Sequence, residues 1–158
     1  MKRLKLPGKE LLKPSIFGMF DGLTSLLGVF IPLLRYEHLL VFITCLGLAV
    51  SSAISMGLGE FLSSNKDILT KTRTTSSLYM GLFTGIGCFL PVIPFLFIGG
   101  TLAVCLSITI YLLLTLTVAF MKSGELGWKK SLIQTFLVSA IAVGLVIAAT
   151  VLLPTPPG

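Results

Sequence analysis

Charge is what this chain lacks. Only 11% of its 158 residues are charged, against about a quarter in an ordinary soluble domain. So few charges cannot cover a water-facing surface, which excludes a soluble globular protein. Acids are scarcest: Glu10, Asp21, Glu37, Glu60, Asp67 and Glu125 are all there are. Histidine occurs once, as His38, with no Glu-x-x-His pair, so the carboxylate-bridged di-iron enzymes are excluded. The chain therefore reads as no enzyme. Cysteine is sparse too. Cys45, Cys88 and Cys105 fall inside apolar runs, imply no disulfide framework and read as packing residues.

Apolar surface is what remains. Hydrophobic residues make up 54% of the chain, and its mean hydropathy is +1.01. No charge lies between Leu39 and Gly59, between Thr74 and Met121, or after Lys130, and Asp21 alone interrupts Pro14 to Leu34. A helix rises ~1.5 Å per residue and needs ~20 residues to cross a hydrocarbon core. These stretches predict an all-α integral membrane protein. Its single transmembrane domain, 1–158, has five helices at about 15–35, 38–63, 75–97, 101–121 and 129–153. The long central run must break once. The glycine pair in Phe97-Ile98-Gly99-Gly100-Thr101 places the turn there. Pro91 and Pro94, just before it, predict a kinked or irregular helix end.

Orientation follows from the cations. Lys2, Arg3, Lys5, Lys9, Lys13, Lys66, Lys71, Arg73, Lys122, Lys129 and Lys130 fall on one side of the predicted spans, and only Arg35 on the other. That bias predicts a cytoplasmic N-terminus and a C-terminus on the opposite side. It also accounts for the net charge of +6 without nucleic acid as a partner. The basic start is no signal peptide, because the apolar run is too long and holds Asp21. Residues 1–13 read as a short interfacial segment.

An ionisable group in the bilayer costs about 2.5–3.5 kcal/mol on insertion scales, so it needs a reason. The candidates are Asp21 and Glu60. Counting from the membrane boundary, Asp21 and Met56 both lie ~10 Å deep and Glu60 ~5 Å. Ser52, Met56 and Glu60 share one helix face, and Ser25 lies one turn beyond Asp21. Carboxylate with thioether suits soft first-row divalent ions. The bland alternatives are core filling for Met56 and a snorkelling boundary charge for Glu60. Gly18, Gly22 and Gly28 on the first helix, with Gly57 and Gly59 on the second, read mainly as helix-packing positions. One chain supplies few ligands, whereas a twofold axis would double them, so a homodimer with Asp21 and Met56 near its interface is expected. A weak echo relates Gly22–Pro32 to Gly81–Pro91, with Met80 in the place of Asp21.

Three motifs resemble the vacuolar iron transporter family. They are Phe17-Gly18-Met19-Phe20-Asp21-Gly22-Leu23-Thr24-Ser25, then Ser55-Met56-Gly57-Leu58-Gly59-Glu60-Phe61-Leu62-Ser63, and the Gly-x-x-x-Pro-x-x-Pro run Gly87–Pro94. The resemblance implies a five-helix dimer that exports Fe²⁺ or Mn²⁺ from the cytosol in exchange for protons. It puts Asp21 and Met56 on the ion path and Glu60 on its cytoplasmic side; Ser25 and Ser52 are weaker candidates from their helix faces alone. The metal is substrate, and no cofactor is implied. The expected partners are the lipid bilayer, a divalent metal ion, protons and a second copy. A bacterial or archaeal cell membrane is the favoured location, with a vacuolar-type membrane as the alternative. Many members insert a glutamate-rich cytosolic domain after the second helix. Here only Ser64 to Thr74 stands in that place, which keeps open a second reading: a non-transporting membrane scaffold of the same fold.

Overall fold

The computed structural model describes residues 8–34, 36–64 and 70–152. Six helices follow in order: α1 Gly8–Leu33, α2 His38–Ser63, α3 Thr70–Phe89, α4 Pro94–Phe97, α5 Gly100–Leu126 and α6 Trp128–Leu152. Five of them are long and apolar enough to cross a membrane, and the short α4 completes the third crossing. The chain is thus all-helical across the described residues, as its hydropathy requires.

The proline break falls where the sequence puts it. A 3₁₀ turn at Leu90–Val92 ends α3, and Ile98 and Gly99 separate α4 from α5. The freed backbone donors are reused locally: Ile93 N donates to Leu90 O, Leu96 N to Ile93 O and Ile98 N to Pro94 O. Broken backbone survives at membrane depth only when protein satisfies it in this way. Gly100 then opens α5 at φ +68°, a conformation that side chains resist. Around the break, Leu26 and Phe30 of α1 meet Val41, Phe42 and Cys45 of α2, and Val92 and Phe95 plug the gap. Phe30 and Phe95 pack edge to face at 5.4 Å.

Three boundaries differ from expectation. α1 starts at Gly8, not at 15, and carries Pro14 inside it. A proline removes one donor only, and the Ser15 hydroxyl donates to Leu11 O at 2.7 Å beside it. Residues 8–13 therefore belong to the same helix as the first span, whose candidate membrane stretch is Leu11–Leu33, and 1–7 lie outside the described residues. α3 begins at Thr70, so the link from α2 is shorter than Ser64 to Thr74; its 65–69 lie outside the described residues. α5 runs on to Leu126, leaving Gly127, at φ +81°, as the whole turn into α6. His38 is the first residue of α2 and packs its ring on Gly99.

α3 lies between α1 and α2 and fixes both. A Cβ at Gly18 would strike Met80 O, and one at Gly22 would strike Thr84 O. On the other side, a Cβ at Gly81 would meet Ala53 O at 2.6 Å, and one at Gly57 would meet Ser77 O at 3.2 Å. Close backbone approach of this kind replaces the hydrophobic drive that lipid does not supply. The contacts run in step along α1 and α3, which are parallel, and in opposite order along α2.

Candidate functional site

Asp21 is half-buried on α1. The least covered positions of that helix are Lys13, Phe17 and Gly28, on the same side. Asp21 therefore lies on the least covered side of α1 among the described side chains. Thr24 fixes the backbone beside it, sharing its hydroxyl proton between Phe20 O at 3.1 Å and Asp21 O at 3.0 Å. Such back-bonding satisfies a hydroxyl within its own helix.

Cys88 of α3 stands behind Asp21. It is fully buried and its thiol donates to Gly22 O at 3.0 Å. Asp21 lies within electrostatic reach of the same sulfur, and the Ser52 side chain lies beside it. Asp21, Cys88 and Ser52 thus share one level, supplied by three different helices.

Met56 and Glu60 follow Ser52 along one edge of α2, at four-residue steps, and both are half-buried. The helix register corrects the equal-depth expectation. Gly22 meets α3 around Thr84 and Cys88, whereas Gly57 meets it around Ser77 and Gly81. Met56 therefore lies more than a turn from the level of Asp21, ~7 Å along the axis at 1.5 Å per residue. Depth counted from a guessed membrane boundary missed this, because α1 begins earlier than Pro14 suggests. Glu60 accepts a hydrogen bond from Ser76 at 2.7 Å on Oε1. Arg73 donates to Phe61 O and lies over the Phe61 ring, 4.1 Å from its centre. A snorkelling charge free in the headgroups would not be held by the next helix.

Among the glycines, Gly18, Gly22 and Gly57 approach neighbouring backbone closely. Gly28 and Gly59 do not, within one chain: nothing lies within 4 Å of a Cβ at either. Both face the open side. Sequence reasoning left out Gly81 and Gly87, whose Cβ positions run into Ala53 O and Met19 O. It also left out Ser76 and the placement of Cys88. The glycines of α3 carried a signal, since Gly81, Gly85 and Gly87 crowd one helix, but their contacts are long-range and have no local mark. Ser25 is half-buried one turn beyond Asp21.

Among the described residues, no three His, Cys, Asp or Glu side chains come together to hold a metal ion. One chain offers Asp21 with sulfur and hydroxyl neighbours on one level, then thioether and carboxylate on the next two turns. The set lies on a flank, not in a closed cavity.

Helices, charge and glycine packing define a membrane protein of five crossings whose ionisable groups line an open flank. Residues 12–75 match the model of the VIT family, which supports a VIT-family member. That segment holds α1 and α2, and with them Asp21, Met56 and Glu60. No curated protein and no solved structure matches the chain.

Proposed function

We propose that the protein exports Fe²⁺ or Mn²⁺ from the cytosol in exchange for protons, along a path between two copies of the chain. One observation carries this reading. A carboxylate that is costly to insert sits on the uncovered flank of α1, and a thioether and a second carboxylate lead away from it along α2. Metal enters past Glu60, passes Met56 and binds at the Asp21 level. A second copy against the same flank doubles the donors toward the four to six that such an ion takes. It also covers Gly28 and Gly59, which have no neighbour within one chain.

Protonation supplies the coupling. A neutral Asp21 attracts no cation, so the carboxylate holds either the metal or the proton. The cation bias of the sequence sets the N-terminus in the cytoplasm, and a bacterial or archaeal cell membrane is the favoured site. The test is metal uptake into proteoliposomes under a pH gradient. Asp21→Asn is expected to lower Fe²⁺ and Mn²⁺ flux at least tenfold, and Met56→Leu to impair Fe²⁺ flux while leaving proton leak unchanged. Normal Fe²⁺ flux in Asp21→Asn would refute the mechanism.

The short Ser64 to Thr74 stretch, standing where a glutamate-rich cytosolic domain would be, keeps a second reading: a scaffold that keeps the fold without transport. No flux of any divalent ion from the unaltered protein, with stable co-purification of another membrane protein, would select it.

A further inference from the structure

A groove of about 410 Å³ lies where α1, α5 and α6 meet, and Asp21, Met56 and Glu60 are not among its lining residues. Its lining is ordered by depth. Along each helix a polar residue is followed, four residues deeper, by an apolar one: Lys13 then Phe17 on α1, Lys122 then Val118 on α5, and Gln134, with Thr135 beside it, then Val138 on α6. α5 runs opposite to the other two, so its inward direction is the falling one, and the three pairs agree. Four residues make one helical turn. The groove therefore has a cationic, hydrogen-bonding rim and an apolar floor one turn further into the membrane. Neither lysine has an ion-pair partner among the described residues.

We propose that this groove binds one anionic phospholipid from the leaflet at that end of the helices. Its phosphate sits between Lys13 and Lys122, Gln134 donates an amide hydrogen, and an acyl chain lies along Phe17, Val118 and Val138. A metal ion does not fit there, because two cations repel it. A zwitterionic headgroup fits poorly, since its own cation meets both lysines. Sequence alone reads Gln134 as a helix-packing contact and the lysines as topology signals; the exposed position of Gln134 in this groove reassigns it. Basic pockets between helices take acidic headgroups for the same electrostatic reason.

The lipid would also brace α1. Lys13, Phe17 and Asp21 are spaced by four, so the occupant abuts the helix face that carries the carboxylate. This consequence for transport rests on the function proposed above; the binding site does not.

The experiment titrates delipidated protein with phosphatidylglycerol and phosphatidylcholine and counts retained lipid by native mass spectrometry. Phosphatidylglycerol is expected to be retained at least tenfold better. K13Q/K122Q should abolish that preference. K129Q/K130Q should keep it, because those lysines lie at the same end but outside the groove. V138W should cut retention of phosphatidylglycerol by filling the floor. Equal retention of the two lipids by the unaltered protein overturns the proposal. So does an equal loss in both lysine pairs, which marks bulk attraction to a basic end. So does phosphatidylglycerol on monomers alone, which marks a groove covered by a second copy. Metal flux is read separately: loss of flux in Asp21→Asn with the lipid preference intact keeps the two proposals apart.

Discussion

The two ends of the chain solve the same packing problem differently. In α1 and α3, 39% of the apolar window is buried inside the chain; in α6 the share is 11%. Lipid tails solvate a leucine as well as another helix does, so apolar area alone cannot draw helices together. α1, α2 and α3 are joined by backbone contact through Gly18, Gly22, Gly57, Gly81 and Gly87. α5 and α6 are joined by the one-residue turn at Gly127 and by hydroxyls: Ser131 donates to Ala119 O at 2.6 Å, and Thr135 and Ser139 continue that face. Every candidate site residue belongs to the first group. A site that binds and releases an ion needs fixed donors, and close backbone contact fixes them.

The hardest way to break this comparison is to widen a glycine on each side of it. Gly22→Leu forces a side chain into the Thr84 carbonyl, which is backbone and cannot rotate away. The expected result is loss of the folded protein, measured as loss of the monodisperse peak in detergent; overpacking of this kind costs about 1–3 kcal/mol or more. Gly144→Leu on α6 meets open space and should leave the melting temperature unchanged. If the two variants behave alike, the glycine contacts do not hold the first three helices together.

Side-chain hydrogen bonds come next in size. Ser76→Ala removes the donor to Glu60 and leaves a carboxylate facing the α2–α3 contact. About 1–3 kcal/mol is expected, since a bond to a charged group is lost. Glu60→Gln, which keeps an acceptor for Ser76, should cost less in stability while lowering metal flux. Ser131→Ala removes one of the bonds between α5 and α6. Interhelical bonds in membranes average about 0.6 kcal/mol and reach about 1.7, so a small shift is expected on thermal unfolding in detergent. A larger loss for Ser131→Ala than for Ser76→Ala would mean the hairpin is the better-fastened region.

The sequence made the crossings legible because each is a local property. The predicted span 38–63 coincides with α2, and Pro91, Pro94 and the Gly99-Gly100 pair mark the break. Helix starts were less legible. Pro14 suggested a boundary that the structure overrides, since one missing donor does not stop a helix whose other bonds are intact. The site was half legible. Asp21 stands out because an acid in a span is costly, and Met56 and Glu60 share a face with Ser52 by simple periodicity. Their relative depth was not readable, because it depends on how α3 registers against α1 and α2. Cys88 was unreadable for the same reason: only packing brings it behind Asp21 and beside Ser52.

The smallest expected effect is the most exacting for the comparison. Tyr111 of α5 is turned into the seam with α6, and its hydroxyl is buried beside Ser139 and Thr115 without forming a hydrogen bond to either. Thr115 spends its own proton on Tyr111 O at 2.9 Å. By contrast, lipid-facing Thr109 and Thr117 satisfy themselves by donating to Cys105 O and Leu113 O. Removing a partner from a made bond is costly, whereas removing an unpaired buried hydroxyl relieves its desolvation. Tyr111→Phe keeps the ring and deletes only that oxygen, so its unfolding midpoint should match the parent or rise. Ser131→Ala, on the same seam, should fall. If Tyr111→Phe instead loses more than Ser131→Ala, the Tyr111 hydroxyl has a partner in the membrane, an ordered water bridging it to Ser139. The α5–α6 seam would then be a polar, well-bonded interface, and the contrast with the glycine-packed helices would be one of chemistry, not of strength.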